Sequence, residues 1–224
     1  MTRAIDPAWV APADRRVGVL GGTFDPIHYA HLAIADEVRE ALKLDRVLFV
    51  PAGMPPHKPG AVVAPAEDRA AMVELAIAGN PAFSLCRIEL DRQGPSYAVE
   101  TLDLLTAEAA RQGVERELFF ILSDEALAGL PAWRDPQRIL TLCHLAVVPR
   151  LGESVSDGAW LEASFPGRSD RFVFVETVPL ANSSSDVRHR AAEGDSIRYL
   201  APPAVEAYIH DHRLYRSVPE DRRK

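Results

Sequence analysis

The residues best suited to chemistry stand together near the start of the chain: Gly21-Gly22-Thr23-Phe24-Asp25-Pro26-Ile27-His28-Tyr29-Ala30-His31. Two glycines allow a tight turn whose N–H groups face outward. Asp25 has the chemistry of a helix N-cap, and Pro26 that of a first helical residue. A helix opening there sets His28 and His31 on one face of its first turns. Turn N–H groups, the positive end of a helix dipole and two imidazoles all suit an anion, phosphate above all. Beside phosphate, the histidines are expected to carry a proton and to serve as hydrogen-bond donors. Thr23 adds a hydroxyl at the mouth of the turn. Neither the G-x-G-x-x-G fingerprint nor a G-x-x-x-x-G-K-[ST] phosphate loop is present, which argues against a dehydrogenase and a P-loop ATPase.

Strands alternating with helices must carry this turn. The apolar run 17–20 predicts a short buried strand, followed by a helix from about 26 to 42. Further strands are expected at 46–50, 83–90, 118–122, 145–148 and 172–178. Helices are expected at 66–79, 97–112, 136–141, 186–192 and 203–211, and residues 151–170 read mainly as a loop with a helix around Trp160. The alternation implies right-handed crossovers: a Rossmann-like, doubly wound α/β fold with a mainly parallel sheet and helices on both faces. Ligands of such sheets bind beyond the carboxyl ends of the strands, where the first glycine turn lies. The expected organisation is a flexible lead-in at 1–15, one domain at 16–216 and a charged tail at 217–224.

Composition narrows the partners. The 224 residues carry a net charge of −7, which argues against a broad nucleic-acid surface but leaves room for a local basic pocket. Cys86 and Cys143 form no close-spaced metal or redox motif. The N-terminal segment has charges and prolines where a signal peptide needs an apolar stretch, and no apolar run approaches membrane-spanning length. A cytoplasmic protein without membrane or nucleic-acid partners is expected, and its oligomeric state is left open.

A second segment repeats the physics of the first. Ser183-Ser184-Ser185-Asp186-Val187-Arg188 follows an expected strand and opens an expected helix. Its hydroxyls, helix N–H groups and fixed positive charge make a second anion site. Taken alone, it reads equally as a serine cap with a solvated arginine.

Together these residues resemble a known family. Residues 21–32 are similar to the GGTFDPIHxGHL signature of the nucleotidyltransferases with the HxGH motif. Val50-Pro51-Ala52-Gly53 with Pro55-Pro56-His57-Lys58 resembles the VPxG…PHK loop of the bacterial nicotinate-nucleotide adenylyltransferases within that superfamily. Arg69 with Met72, Ser96-Tyr97-Ala98-Val99-Glu100-Thr101-Leu102, Trp133 and the Ser183–Arg188 segment resemble further motifs of the same family. The resemblance covers about residues 17–216. Three positions depart from the pattern. Ala30 replaces a glycine, with its methyl expected near adenine; Leu122 replaces the glycine of a GAD element; and Asn182 replaces an aliphatic residue.

The resemblance implies AMP transfer from ATP to nicotinate mononucleotide, giving deamido-NAD and pyrophosphate in NAD synthesis, with magnesium carried by ATP and no protein metal site. It assigns catalysis to Thr23, His28 and His31. It assigns ATP binding to Gly21, Gly22, Phe24, Ser183, Ser184, Ser185 and Arg188. His57, Lys58, Tyr97, Thr101, Asp124 and Trp133 are expected at the mononucleotide. Tyr97 and Trp133 suit stacking of a pyridine ring with Thr101 beside its substituent. Asp124 suits a ribose hydroxyl, and Arg134 suits a carboxylate or solvent. Alternatives are transfer to another phosphorylated acceptor, such as phosphopantetheine, and a nucleotide-binding paralogue with weakened catalysis.

Overall fold

The computed structural model describes residues 10–54, 63–148, 158–178 and 180–216. Six strands form one sheet in the order β3-β2-β1-β4-β5-β6, and every pairing is parallel. They are β1 (Arg16–Gly22), β2 (Arg46–Pro51), β3 (Phe83–Leu85), β4 (Glu117–Ser123), β5 (His144–Val148) and β6 (Phe172–Phe174). Between them run α1 (Tyr29–Ala41), α2 (Ala66–Ile77), α3 (Ala98–Arg111), α4 (Asp124–Ala128), α5 (Pro136–Leu142) and α6 (Gly158–Ser164). The chain ends in α7 (Ser184–Glu193) and α8 (Pro203–Asp211). No helix among the described residues is long and apolar enough to cross a membrane.

The strands are apolar on both sides because helices cover both sides. Val47 and Phe49 of β2, Phe119 and Ile121 of β4, and Ala146 and Val148 of β5 point into one core with α1, α2, α7 and α8. Their neighbours Leu48 and Val50, Leu118 and Phe120, and Leu145 and Val147 point into a second core with α3, α4, α5 and α6. Burying each of the larger of these side chains contributes about 1.5–3 kcal/mol. This is the expected doubly wound architecture. Strand order reverses between β1 and β4, so the crevice beyond their carboxyl ends is the ligand position of the fold.

Five local expectations differ from the structure. First, α1 begins at Tyr29 and not at Pro26. The Asp25 carboxylate cannot cap it, because it accepts hydrogen bonds from Val63 N, Ala64 N and Tyr215 Oη instead. Second, β3 stops at Leu85: after Cys86 N bonds Phe49 O, the chain turns, with Asp91 N donating to Arg87 O. Third, β6 stops at Phe174; the chain then leaves the sheet, and Val178 N donates to Glu37 Oε2. Fourth, α4 is a short helix that no apolar period announces, opened by Ser123 Oγ accepting from Ala126 N. Fifth, the stretch 10–15 is anchored at two points, while Pro12, Ala13 and Arg15 are exposed. Val10 and Asp14 are buried, and Arg46 Nε donates to Asp14 Oδ2 at 2.6 Å.

Candidate active site

The first turn opens at the carboxyl end of β1. Gly22 has no side chain where Phe24 needs space: a Cβ there would stand 3.2 Å from Phe24 Cζ. Phe24 adopts a left-handed backbone with φ of 49° and turns its ring inward. The ring meets His31 edge-on at 5.0 Å between centroids. Phe24, expected at the nucleotide, is thus buried in the core and positions His31 from behind.

His28 is the N-cap of α1 and is buried. Its imidazole stacks on that of His31 with centroids 3.8 Å apart. Its backbone N–H donates to His31 Nδ1 at 3.2 Å. An acceptor nitrogen holds a lone pair, so the His31 proton resides on Nε2. With Nδ1 engaged in this way, Nε2 is the donor nitrogen of His31. The first N–H of α1, on Tyr29, donates to Leu200 O at 3.1 Å. Asn182 Nδ2 donates to the same carbonyl at 3.2 Å, which gives that departure from the family pattern a structural role. Leu122 and Ala30 are both buried.

Beneath the turn lies a charged network that joins distant segments. Arg69 is 1% exposed, and its guanidinium donates to Thr23 O at 2.7 Å and Ala64 O at 3.3 Å. Burial lowers its pKa, and the nearby Asp25 charge opposes that shift. Arg188 donates to Asp25 O at 2.6 Å, and Ser184 Oγ donates to Pro26 O at 2.9 Å. Tyr215 Oη donates to Asp25 Oδ1 at 2.8 Å; burial, reinforced by the Asp25 charge, raises the pKa of this hydroxyl and keeps it a donor. The two predicted anion segments therefore touch, and the N-terminus of α7 sits against the glycine-turn loop. Ser183 is the N-cap of α7, its Oγ accepting from Asp186 N at 3.1 Å, and Ser185 Oγ accepts from Arg188 at 3.3 Å.

The other wall of the crevice comes from the second core. Phe120 Cζ lies 3.6 Å from where a Cβ on Gly21 would stand. Trp133 rests edge-on against Phe120 at 6.0 Å and 88°. The Arg134 guanidinium covers a face of Tyr97, 4.7 Å from the ring centroid, and pairs with Glu100 Oε1 at 2.6 Å. Asp124 is the first residue of α4, buried at the end of β4.

Thr101, expected beside the ring substituent, faces inward. It is 1% exposed and its Oγ1 donates to the buried Glu89 carboxyl at 2.6 Å. Burial drives the Glu89 pKa up, against the hydrogen bonds from Thr101 and Ser96. Ser96 Oγ in turn accepts from Gly53 N at 3.0 Å and Met54 N at 3.3 Å. A Cβ on Gly53 would stand 2.4 Å from Glu89 O, so only glycine allows this approach. His57 and Lys58 lie outside the described residues.

Sequence reasoning did not anticipate three structural roles: the Asp25 carboxylate as a buried anchor where a helix cap was expected, the Arg69 guanidinium beneath the turn, and the buried Glu89 carboxyl. Arg69 carried a usable signal, because it shares a helix face with Met72 and Val73, which are fully buried. The Asp25 anchor depends on partners 38, 39 and 190 residues away, and the Glu89 contact on a turn between β3 and α3, so neither shows as a local pattern.

A family model described as cytidylyltransferase-like matches residues 19–190. A probable nicotinate-nucleotide adenylyltransferase from Roseiflexus sp. is 52% identical over 200 residues, covering 89% of this chain and 98% of that protein. One from Thermomicrobium roseum is 44% identical over 203 residues, covering 91% of this chain and 92% of that protein. The fold is also that of the solved Plasmodium falciparum nicotinic acid mononucleotide adenylyltransferase, with a TM-score of 0.71 at 17% identity over 90% of this chain and 97% of that one. The chain belongs to the cytidylyltransferase-like family and, within it, to the nicotinate-nucleotide adenylyltransferases.

Proposed function

We propose that this protein transfers AMP from ATP to nicotinate mononucleotide, forming deamido-NAD and pyrophosphate in NAD synthesis. The observation that carries the reading is the junction of two anion-binding elements at the strand-order reversal. The glycine turn with its stacked histidines lies against the N-terminus of α7 through Ser184–Pro26 and Arg188–Asp25 contacts. Its relatives carry the same activity in their names.

In the reaction a phosphate oxygen of the mononucleotide attacks the α-phosphorus of ATP. A new P–O bond forms as the bond from that phosphorus to the β-phosphate bridging oxygen breaks. The attacking phosphate is ionised near neutral pH, so no general base is needed. Catalysis rests on placing two anions in line and stabilising the charge that builds on their oxygens. Gly21 and Gly22 N–H groups, the Thr23 hydroxyl, His28 and the His31 Nε2–H serve the reacting phosphates. The α7 N-terminus, with Ser183, Ser184 and Ser185, and Arg188 serve the outer phosphates of ATP. Magnesium enters with the triphosphate as part of the substrate. Among the described residues no group of three or more His, Cys, Asp or Glu is placed to hold an ion of its own. The mononucleotide lies along the Phe120–Trp133–Tyr97 wall, with Asp124 toward a ribose hydroxyl and His57 and Lys58 toward its phosphate or the triphosphate. Phe24 and Thr101 act by holding His31 and the Tyr97 helix start.

The test is pyrophosphate release with ATP, magnesium and a panel of phosphorylated acceptors. Nicotinate mononucleotide should be the preferred acceptor. Preference for another acceptor, phosphopantetheine among them, or ATP binding without turnover on any, would overturn the reading.

A further inference from the structure

We propose, resting on the functional reading above, that Glu89 is a positioning residue: through Ser96 and Thr101 it ties the start of α3 to the glycine turn and so places the acceptor for attack. Hydrogen bonds join the two regions in an unbroken series. At the turn, Gly22 O accepts from Ala52 N at 2.8 Å. The next two residues, Gly53 and Met54, donate through their N–H groups to Ser96 Oγ at 3.0 Å and 3.3 Å. Met54 O accepts from Ser96 N at 2.9 Å. Two accepted bonds occupy both lone pairs of the Ser96 hydroxyl, which leaves its proton for the Glu89 carboxyl. Thr101 Oγ1 donates to that carboxyl at 2.6 Å, and Thr101 N donates at 3.2 Å to the carbonyl of Tyr97, the N-cap of α3. Glu89 is therefore where the segment leaving β2 and the start of α3 meet.

A carboxyl is a costly way to fill this space. Glu89 is 8% exposed, and an apolar side chain would carry no burial penalty there. What the carboxyl adds is an acceptor for two hydroxyls at once, each tied to the backbone of a different segment. Hydrogen bonds linked in this way polarise and strengthen one another. The effect falls on the acceptor, because one end of the series is bonded to Gly22, beside the reacting phosphates, and the other to Tyr97 on the acceptor wall. A misplacement on the order of 1 Å at this step costs about a hundredfold in rate. The glycine turn and α7, which serve ATP, are joined instead through Pro26 and Asp25. ATP binding does not depend on the Glu89 link.

The experiment measures adenylyl transfer with each substrate varied in turn, in the wild type, Glu89→Ala, Ser96→Ala and the double variant. Each single variant should lower kcat/KM for nicotinate mononucleotide about ten- to a hundredfold. The KM for ATP should stay within about twofold of wild type. Because both residues serve one link, the double variant should be no worse than the weaker single variant. Should Glu89→Ala not fold, Ser96→Ala carries the test, since it removes the bridging hydroxyl and leaves the carboxyl its bond from Thr101. A structural role alone would lower Tm and leave the kinetics of the folded protein unchanged. That result, an equal rise in KM for both substrates, or strictly additive losses overturns the inference alone. A wild-type protein without transfer to nicotinate mononucleotide overturns the functional reading and this inference with it.

Discussion

Removing one hydroxyl from the buried network tests how the first turn is held. Tyr215 donates to Asp25 Oδ1 at 2.8 Å, and the same oxygen accepts from Ala64 N at 3.1 Å while Oδ2 accepts from Val63 N at 2.8 Å. Tyr215→Phe therefore deletes one hydrogen bond to a charged group and leaves each carboxylate oxygen a backbone donor. A bond of this kind is worth about 1.5–3 kcal/mol. For a chain of this size that corresponds to a fall in Tm of about 3–12 °C. Asp25→Ala should cost more, about 3–5 kcal/mol, because it strands the buried Arg69 cation and three donors at once. Urea unfolding followed by circular dichroism gives both values. A double-mutant cycle of Tyr215→Phe with Asp25→Asn should show a coupling of about 1 kcal/mol or more. A Tyr215→Phe loss below about 0.5 kcal/mol, or strict additivity in the cycle, would refute the network.

Three further outcomes follow from the same geometry. His31→Ala should lower kcat/KM for adenylyl transfer about 10²–10³-fold with the fold intact by circular dichroism, and a rate within tenfold of wild type would remove His31 from the mechanism. Gly53→Ala should destabilise by about 1–3 kcal/mol in urea, because its Cβ would stand 2.4 Å from the Glu89 carbonyl; an unchanged midpoint would contradict that contact. Burial raises the Glu89 pKa above the ordinary 4.5, so the folded state binds this proton more tightly than the unfolded chain. Its contribution to stability then falls as pH rises from 4.5 through the raised value. Glu89→Gln removes that slope while its amide oxygen still accepts from Thr101, so variant and wild-type stability should diverge in the variant's favour as pH rises. Parallel curves would contradict the assignment.

The sequence made the architecture legible because its strands are short apolar runs spaced by helical periods, and burial on both faces demands that pattern. The two anion segments were legible because backbone freedom at Gly21 and Gly22 and capping chemistry at Ser183 are local properties. What stayed hidden was contact order. Asp25 looks like a helix cap until Val63, Ala64 and Tyr215 claim its carboxylate. Thr101 looks available for a ligand until the Glu89 carboxyl, twelve residues earlier, accepts its hydrogen bond. Phe24 reads as a loop aromatic at the site until its positive φ turns it under His31. In each case a partner outside the local segment decides where the side chain goes.

The most direct measurement of the central claim is the fate of the α-phosphate of ATP. With magnesium, nicotinate mononucleotide and ATP labelled at that phosphorus, the label should appear in deamido-NAD with one pyrophosphate released per dinucleotide formed. Label that stays in ATP or leaves as free AMP, while ATP binding is intact, would contradict the account.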